Sequence, residues 1–282
     1  MVDFSNLKKP YFIGEIGINH NGDTQIAKRL IDAANACQWD CVKFQKRNPD
    51  VCVPEHQKTV MRDTPWGRMS YLDYKYKVEF GKTEYDMIDK YSKEKPIDWT
   101  ASVWDLDSLQ FMNQYDVPFL KIPSALITDT ELLIETAKTK IPLVISTGMS
   151  TLEEIDIAVD LIMKNGVNPV IMHCNSSYPT PKTELNLRVI ETLRKRYGTE
   201  IGYSGHEEDL EPTVIAVSLG AKLIERHITI SHDMWGTDQK SSLEVIAMDM
   251  LRKRCMEVED MLGSSEKIVT ASELPIRKKL RK

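Results

Sequence analysis

The feature that most constrains the fold is an eightfold alternation of two hydrophobic patterns along the 282 residues. Short apolar runs typical of strands alternate with longer amphipathic segments typical of helices. The predicted strands are 11–18, 41–46, 98–103, 119–124, 142–148, 169–174, 200–205 and 222–228. The predicted helices are 23–37, 83–94, 105–115, 129–139, 151–164, 185–197, 209–219 and 243–262. Eight such units in a chain of this length predict a single-domain α/β fold, the (β/α)8 TIM barrel.

A doubly wound open sheet is the competing fold, because it also alternates strands with helices. Such a sheet places a glycine-rich GxGxxG turn after its first strand. Gly14 and Gly17 lie near that position, but the motif itself is absent. The prediction is therefore a barrel, and we expect it to span residues 1–263.

Two segments depart from the alternation. Residues 47–82 are polar and aromatic, and they are too long for an ordinary connection after the second strand. We expect them to form a long loop or lid beside the barrel. Residues 264–282 lose the helical periodicity, so we expect a tail or a truncated linker there.

Charge and cysteine content narrow the class of protein. A net charge of −5 does not fit a nucleic-acid-binding surface, which needs concentrated basic residues. The first residues lack a signal-peptide pattern, and no apolar run approaches the ~18 residues of a membrane span. The five cysteines are odd in number and form no CxxC pair, which is typical of reduced thiols. We therefore expect a cytoplasmic protein with no nucleic-acid or membrane partner.

Polar residues gather near the carboxyl ends of the predicted strands. In the last strand, alternation places Glu225 and His227 on one face and Arg226 on the other. An edge strand with one wet face would explain a single such residue. Nearly every other strand also ends in charged or hydroxyl groups, and barrel active sites lie at that end. This coincidence favours one shared pocket.

The residue types in this pocket indicate an anionic substrate. The cations and hydroxyls suited to a phosphate or carboxylate are Lys43, Thr100, Lys121, Ser124, Ser146 and Ser204. His206 and His227 come from adjacent strands and could share one divalent metal, with Asp238 or a substrate oxygen completing the shell. Two histidines alone are a weak metal signature, so hydrogen-bonded core histidines remain the alternative.

Seven short motifs occur in order along the chain: EIGINHNG at 15–22, KFQ at 43–45, KIPS at 121–124, STGM at 146–149, YPTP at 178–181, GYSGHE at 202–207 and ERH at 225–227. In combination they resemble the sialic acid synthase family, which makes N-acetylneuraminate and related nonulosonates. The resemblance implies a (β/α)8 barrel, in agreement with the strand count. It also implies condensation of phosphoenolpyruvate with an open-chain N-acylhexosamine, such as N-acetylmannosamine or its 6-phosphate, to a nine-carbon 2-keto acid and phosphate.

The resemblance also implies roles for particular residues. The phosphoenolpyruvate ligands would be Lys43, Thr100, Lys121, Ser124, Ser146, Ser176 and Ser204. The sugar would lie near Gln45, Tyr178 and Asp238, and the catalytic carboxylates would be Glu15 and Glu225. His206 and His227 would bind the family's divalent metal, manganese or magnesium.

Two departures from the family's pattern affect the expected partners. Typical members continue into a small antifreeze-like domain that reaches the partner subunit's site. The sequence stops at Lys282, near the start of that linker, so we expect this domain to be absent or supplied by a separate protein beside a homodimeric barrel. The motif WGTDQ at 235–239 differs from the Gly-Pro-Asp-His pattern of bacterial members, which puts the sugar preference in doubt.

Three other functions remain open at this point. Another 3-deoxy-2-keto sugar acid synthase could take a phosphorylated aldose, because segment 47–82 holds Lys58, Arg62 and Arg68. A Schiff-base aldolase could use Lys43 or Lys121. A non-catalytic barrel could serve as a binding partner.

Overall fold

The computed structural model describes residues 2–281, and its strands form a barrel and a separate hairpin. The strands are β1 (Tyr11–Gly17), β2 (Cys41–Lys46), β3 (Met61–Thr64), β4 (Gly67–Ser70), β5 (Asp98–Val103), β6 (Leu120–Ile122), β7 (Leu143–Ser146), β8 (Val170–Cys174), β9 (Ile201–Gly205) and β10 (Leu223–His227). Within the described residues, eight of them close into one barrel in the order β1-β10-β9-β8-β7-β6-β5-β2. All the barrel pairings are parallel. The predicted (β/α)8 fold is confirmed, and every predicted barrel strand is present.

A helix follows each barrel strand and covers the barrel from outside, and further helices lie in segment 47–82 and near the carboxyl terminus. They are α1 (Thr24–Ala36), α2 (Pro49–Cys52), α3 (Glu55–Lys58), α4 (Tyr71–Val78), α5 (Lys82–Lys93), α6 (Leu106–Met112), α7 (Thr130–Lys138), α8 (Leu152–Lys164), α9 (Val189–Tyr197), α10 (Glu211–Ser218), α11 (Val245–Met256), α12 (Val258–Leu262) and α13 (Glu273–Leu280). Short 3-10 helices lie at Phe4–Asn6, Ser124–Leu126, Lys182–Glu184 and Gln239–Ser241. No helix within residues 2–281 has the length and apolarity needed to span a bilayer.

The capping box at the start of α8 illustrates why these helices form where they do. The Glu154 backbone N–H donates to Thr151 Oγ1 at 3.3 Å, and the Thr151 N–H donates to Glu154 Oε2 at 2.8 Å. These bonds satisfy donors that the first turn leaves free. The apolar positions Ile155, Ala158, Val159 and Ile162 are all buried against the core. Local sequence and packing thus agree.

The barrel interior has an apolar lower half and a polar upper half. Its lower half is one buried cluster formed by Phe4, Tyr11, Ile13, Cys41, Phe119, Val144, Val170, Met172 and Leu223. Phe4 closes the amino-terminal end, with its ring centroid 5.4 Å from that of Phe119. Because successive inward positions lie two residues apart, the next inward residue on β1 after Ile13 is Glu15. The apolar plug therefore forms the floor beneath the polar layer.

Segment 47–82, the expected long loop or lid, contains regular secondary structure of its own. It contains α2, α3, the β3–β4 hairpin and α4. Ser70 caps α4 by accepting the Asp73 N–H at 3.1 Å, and Tyr74 and Val78 pack with Ile18 in a small apolar cluster. The ring of Tyr74 lies 5.2 Å from that of Trp235, which follows β10. The segment therefore packs beside the carboxyl ends of the barrel strands.

The carboxyl-terminal segment also contains structure that periodicity did not predict. Residues 264–281 are exposed, yet α13 forms within them. Both the N–H and the hydroxyl of Thr270 donate to Glu273 Oε2, at 2.9 and 3.0 Å. A Thr-x-x-Glu sequence is a recognised start signal for a helix, and it is visible in the sequence.

Candidate active site

A cavity of about 230 Å³ lies at the carboxyl ends of the barrel strands. It is lined by all the predicted site residues except Thr100 and Asp238, namely Glu15, Lys43, Gln45, Lys121, Ser124, Ser146, Ser176, Tyr178, Ser204, His206, Glu225 and His227. These residues are far apart in sequence, and the barrel brings them to one place. The shared pocket predicted from strand ends is present.

Two lysines and two glutamates form a buried charge network at the base of the cavity. Lys43 Nζ lies 2.6 Å from Glu15 Oε2 and 3.7 Å from Glu225 Oε1. Lys121 Nζ lies 2.6 Å from the same Glu225 oxygen. All four side chains are at most 5% exposed. Buried charges are stable only when paired, so this network balances its own charge within the barrel.

The pKa values in this network follow from burial and from the opposite charges nearby. Burial raises the pKa of Glu15, although Lys43 opposes the shift. Burial alone would lower the pKa of Lys43, but Glu15 and Glu225 raise it above the usual lysine value. Burial lowers the pKa of Lys121 even though it is paired with Glu225. Burial opposes ionisation of Glu225 too, but Lys121 and Lys43 hold its pKa below the usual range.

Hydroxyl groups surround one side of the cavity near Gly148. The Gly148 N–H donates to Ser124 Oγ at 3.0 Å. A Cβ at position 148 would lie only 2.2 Å from Ser176 Oγ, so the close approach of these groups requires glycine. Ser204 donates to Glu225 Oε1 at 3.3 Å. The arrangement concentrates O–H and N–H donors beside the two lysines, as an anion site requires.

Four buried polar atoms in the cavity, besides the ion-paired Glu15 Oε2, lack a hydrogen-bond partner within residues 2–281. They are Ser146 Oγ, Gln45 Oε1, Glu225 Oε2 and His227 Nδ1. Buried polar atoms in folded proteins are nearly always hydrogen-bonded to protein or water. These atoms are therefore available to a ligand that enters the cavity.

The two histidines face each other across the upper cavity, with ring centroids 5.5 Å apart. His206 Nδ1 lies 2.6 Å from the Asn175 carbonyl oxygen, which can only accept, so Nδ1 carries the proton. His206 Nε2 then accepts the Tyr178 hydroxyl at 2.8 Å. His227 Nδ1 is buried without a hydrogen-bond partner in the described chain, and Asp238 Oδ2 lies 3.9 Å from it.

This histidine pair fits a metal that takes its remaining ligands from substrate or water. A ligating histidine usually donates its other ring N–H to a carbonyl or carboxylate, as His206 does to Asn175. His227 Nδ1 is unpartnered, and His206 Nε2 would be the second ligand atom if a metal took the place of the Tyr178 hydroxyl there. The described residues contain no group of three or more His, Cys, Asp or Glu side chains placed to hold a metal.

Two predicted site residues lie outside the cavity lining. The Thr100 hydroxyl donates to the Phe119 carbonyl in the apolar floor, and its side chain is fully buried. The structure therefore does not bring Thr100 to the cavity. Asp238 lies beyond the cavity rim, near His227. The next inward residue on β5, Ser102, does line the cavity, and Trp104 Nε1 donates to its hydroxyl at 3.2 Å.

Other cavity residues were not singled out from the sequence. Ser102, Trp104, Pro123, Ala125, Met149 and Cys174 all contribute to the lining. Ser102 shares the inward face of its strand with Thr100, so alternation placed both in the barrel interior without showing which one reaches the cavity. The apolar and sulfur-containing members have no chemical pattern that distinguishes them from core residues.

Arg226 points to the outer face of β10, as alternation predicts, and forms a second buried network. Its Nη1 lies 3.1 Å from Glu207 Oε1 and donates to Thr213 Oγ1 at 3.0 Å. Nη1 also donates to the Asp209 carbonyl at 3.1 Å. The Tyr203 hydroxyl donates to Glu207 Oε2 at 2.8 Å. This network ties the residues after His206 to the strand that carries His227.

The closed barrel and its charged upper cavity define a barrel enzyme built for an anionic substrate. The sequence assigns this barrel enzyme to a particular family, because residues 30–267 match the model of the NeuB family. The chain belongs to the NeuB family. The predicted resemblance to sialic acid synthases is thereby confirmed.

Relatives with known names support the same assignment. The chain is 35% identical to human N-acetylneuraminate-9-phosphate synthase, over 96% of this chain and 76% of the relative. It is 33% identical to N,N'-diacetyllegionaminic acid synthase of Campylobacter jejuni, over 95% and 81% of the two chains. A crystal structure of N-acetylneuraminic acid synthetase from Leptospira borgpetersenii, in complex with citrate, superposes with a TM-score of 0.86 at 30% identity, covering 97% of this chain and 93% of that one. The chain is therefore an enzyme of the sialic acid synthase type.

Proposed function

We propose that this enzyme condenses phosphoenolpyruvate with an open-chain N-acylhexosamine to give a nine-carbon 2-keto sugar acid and phosphate. The observation that carries the proposal is the cavity itself, where two buried lysines, a group of hydroxyls and unpartnered buried acceptors meet. A small substrate with both a phosphate and a carboxylate matches two cations and several O–H donors. The names of the human and C. jejuni relatives describe syntheses of this type of product.

Phosphoenolpyruvate would occupy the part of the cavity between the two lysines and the hydroxyls. Lys43 and Lys121 supply the cations, and their ion pairs with Glu15 and Glu225 hold both ammonium groups in position. The hydroxyl donors are Ser124, Ser146, Ser176 and Ser204. Thr100 is left out of this ligand set, because its hydroxyl is directed at the Phe119 carbonyl.

The acceptor sugar would lie above phosphoenolpyruvate, beside Gln45, Tyr178 and Asp238. Gln45 donates to Glu15 Oε1 at 2.9 Å, which leaves its own oxygen free for a sugar hydroxyl. His206 and His227 would hold a divalent ion, manganese or magnesium. When bound, that ion supplies Lewis-acid polarisation of the sugar aldehyde.

The bond changes balance without a further reactant besides water. C3 of phosphoenolpyruvate forms a bond to the aldehyde carbon, and the aldehyde oxygen takes up a proton to become a hydroxyl. Water adds to C2, the C2–O bond to phosphate breaks, and phosphate leaves with the electron pair. The 2-keto group remains on the sugar acid. We assign Glu225 as the acid/base for water addition and Glu15 as the group that holds the sugar or the water.

The direct test is to incubate the purified protein with phosphoenolpyruvate, Mn²⁺ and a panel of hexosamines. The expected result is equal release of inorganic phosphate and 2-keto acid with at least one N-acylhexosamine. A control without sugar excludes simple phosphatase activity. Failure of every aldehyde acceptor to release phosphate would overturn the proposed function.

Lys121 favours a second candidate, a Schiff-base aldolase, because burial lowers the pKa of its amine. Its ion pair with Glu225 at 2.6 Å opposes this chemistry, since the pair stabilises the charged form. Borohydride treatment in the presence of pyruvate separates the two functions. An aldolase would be trapped as a covalent adduct on lysine, whereas the synthase would remain unmodified and active.

A further inference from the structure

A second cavity lies beside the proposed active site and has an unusual charge distribution. Its volume is about 150 Å³, and its wall includes Arg47, Tyr71, Lys75, Glu79 and Trp104. Trp104 also lines the active-site cavity, so the two cavities share a wall. The two cavities are therefore direct neighbours, with Trp104 between them.

Two cations of this cavity wall, Arg47 and Lys75, have no carboxylate partner in the described chain, and neither does Arg62, which packs on the wall residue Tyr71. Within residues 2–281, no carboxylate oxygen lies within 4.0 Å of the side-chain nitrogens of Arg47, Arg62 or Lys75. These side chains pack instead on aromatic rings. The Arg47 guanidinium lies 4.2 Å from the Trp104 ring centroid, and that of Arg62 lies 3.9 Å from the Tyr71 ring centroid. Lys75 Nζ lies 5.1 Å from the Tyr71 centroid.

Other lysines of the same segment do have carboxylate partners. Lys46 pairs with Glu79 at 2.8 Å, and Lys58 pairs with Glu55 at 2.7 Å. The one carboxylate in the cavity wall, Glu79, is thus neutralised by Lys46, and it also accepts the Arg47 backbone N–H at 3.0 Å. Among the described residues, Arg47 and Lys75 therefore form no ion pair of their own, although Asp238 and Glu79 act on Lys75 from beyond ion-pair distance.

The positive charges of Arg47, Lys75 and Arg62 repel one another. Arg47 Nε is buried and has no hydrogen-bond partner in the described chain. Burial lowers the pKa of Lys75 to about 8; the charges of Arg47 and Arg62 add to the effect, and those of Asp238 and Glu79 oppose it. Like charges held together in a partly buried place are repulsive unless an anion binds among them.

Arg47 lies on the same side of β2 as the proposed substrate ligands, farther toward the carboxyl end. Lys43, Gln45 and Arg47 are alternate residues along β2 and its extension, so they share one side of the strand. Arg47 lies about 13 Å beyond Lys43 at ~3.3 Å per residue. The order along this row is the proposed phosphoenolpyruvate ligand, the proposed sugar ligand and then the unpaired arginine.

We propose that Arg47 and Lys75, supported by Arg62, form a subsite for a phosphate monoester on the far end of the acceptor sugar. The proposal rests on the proposed function and narrows it to a phosphorylated N-acylhexosamine. Guanidinium groups bind phosphate oxygens in a bidentate manner, and lysine adds a point charge. Both features suit a dianion better than a neutral sugar hydroxyl.

The test compares N-acetylmannosamine with N-acetylmannosamine 6-phosphate, with phosphoenolpyruvate and Mn²⁺ held constant. The wild-type KM for the phosphorylated sugar should be at least about tenfold lower, as charge-assisted contacts predict. Arg47→Met and Lys75→Met should each raise that KM by about tenfold or more. Neither variant should change the KM for phosphoenolpyruvate or for the unphosphorylated sugar.

Arg68→Met is the matched control, because Arg68 is an exposed arginine of the same segment and lies outside the cavity wall. It should leave all KM values unchanged. Equal wild-type KM values for the two sugars would overturn the subsite, and this comparison needs no variant to fold. A variant that weakens both sugars equally would also contradict it, since that result indicates a structural role.

Two further outcomes separate this proposal from its alternatives. With phosphoenolpyruvate saturating, inorganic phosphate should raise the KM for the phosphorylated sugar more in the wild type than in Arg47→Met. An equal effect on the two proteins would show that phosphate does not act through Arg47, which would overturn the subsite. If neither sugar releases phosphate from phosphoenolpyruvate, the proposed function itself fails, and the subsite fails with it.

Discussion

Lys121 and Glu225 meet across the barrel interior, with the lysine Nζ 2.6 Å from the glutamate Oε1. Their strands, β6 and β10, are separated by three others in the barrel order. The pair therefore joins opposite walls of the cavity. A substrate anion that binds Lys121 must share this lysine with Glu225, so substrate binding and the position of a proposed acid/base are linked.

Lys121→Ala should raise the KM for phosphoenolpyruvate by ten- to a hundredfold and the KM for sugar much less. A hydrogen bond to a charged group contributes about 1.5–3 kcal/mol, and about 1.4 kcal/mol corresponds to a factor of ten. Steady-state kinetics with each substrate varied in turn measures the two effects. Equal weakening toward both substrates would indicate a general structural role for Lys121.

His206→Ala and His227→Ala should each abolish most Mn²⁺ binding and most activity while the fold is retained. Each variant removes one of the two imidazoles that face each other in the upper cavity. Titration calorimetry with Mn²⁺ measures binding independently of turnover, and circular dichroism checks the fold. His56→Ala, at an exposed position in segment 47–82, is the control. Full activity of either variant in exhaustively chelated buffer would contradict the metal assignment.

Arg226→Met should lower the free energy of unfolding by about 3–5 kcal/mol, because it leaves the buried Glu207 carboxylate without its cation. Adding Glu207→Gln to this variant should recover part of the loss. Urea unfolding monitored by fluorescence gives both values. Arg196→Met removes a partner of the exposed Asp156 and should have a much smaller effect. Similar losses for the buried and exposed pairs would contradict the interpretation.

Thr100→Val should affect stability and Ser102→Ala should affect substrate binding, although both residues face inward on β5. Thr100→Val removes a buried hydrogen bond to the Phe119 carbonyl and should cost about 1 kcal/mol of stability with little change in substrate KM. Ser102→Ala removes a hydroxyl from the cavity wall and should change KM with little change in stability. Thermal unfolding and steady-state kinetics test both variants. A large rise in the phosphoenolpyruvate KM of Thr100→Val would restore Thr100 to the ligand set.

Periodicity alone predicted the barrel, because each strand and helix carries its own local hydrophobic pattern. Alternation also assigned Glu225 and His227 to the interior and Arg226 to the exterior, and the structure agrees. It could not separate Thr100 from Ser102. Depth along an inward face depends on the stagger between neighbouring strands, which is a property of the closed barrel and not of one segment.

In segment 47–82, local sequence patterns predict neither the secondary structure nor which basic residues are ion-paired. Its short helices and hairpin are stabilised by distant contacts such as Trp66 with Trp235, at a ring separation of 5.7 Å. Arg62, Arg68 and Lys58 look equivalent in sequence, yet Lys58 is paired with Glu55, and Arg62 packs on Tyr71 in the wall of the second cavity. Which basic residues lack a counter-charge is decided by tertiary packing.

Every barrel strand, from β1 with Glu15 to β10 with Glu225, contributes at least one residue to the cavity wall. Residues 223–227 supply the carboxylate that neutralises Lys121, and they pair with β1 to close the ring. A nascent chain that has not yet reached this point carries its lysines without that counter-charge. The active site should thus become complete in one step, when the barrel closes. If the chain were cut in a surface loop, the two fragments would regain activity only by associating.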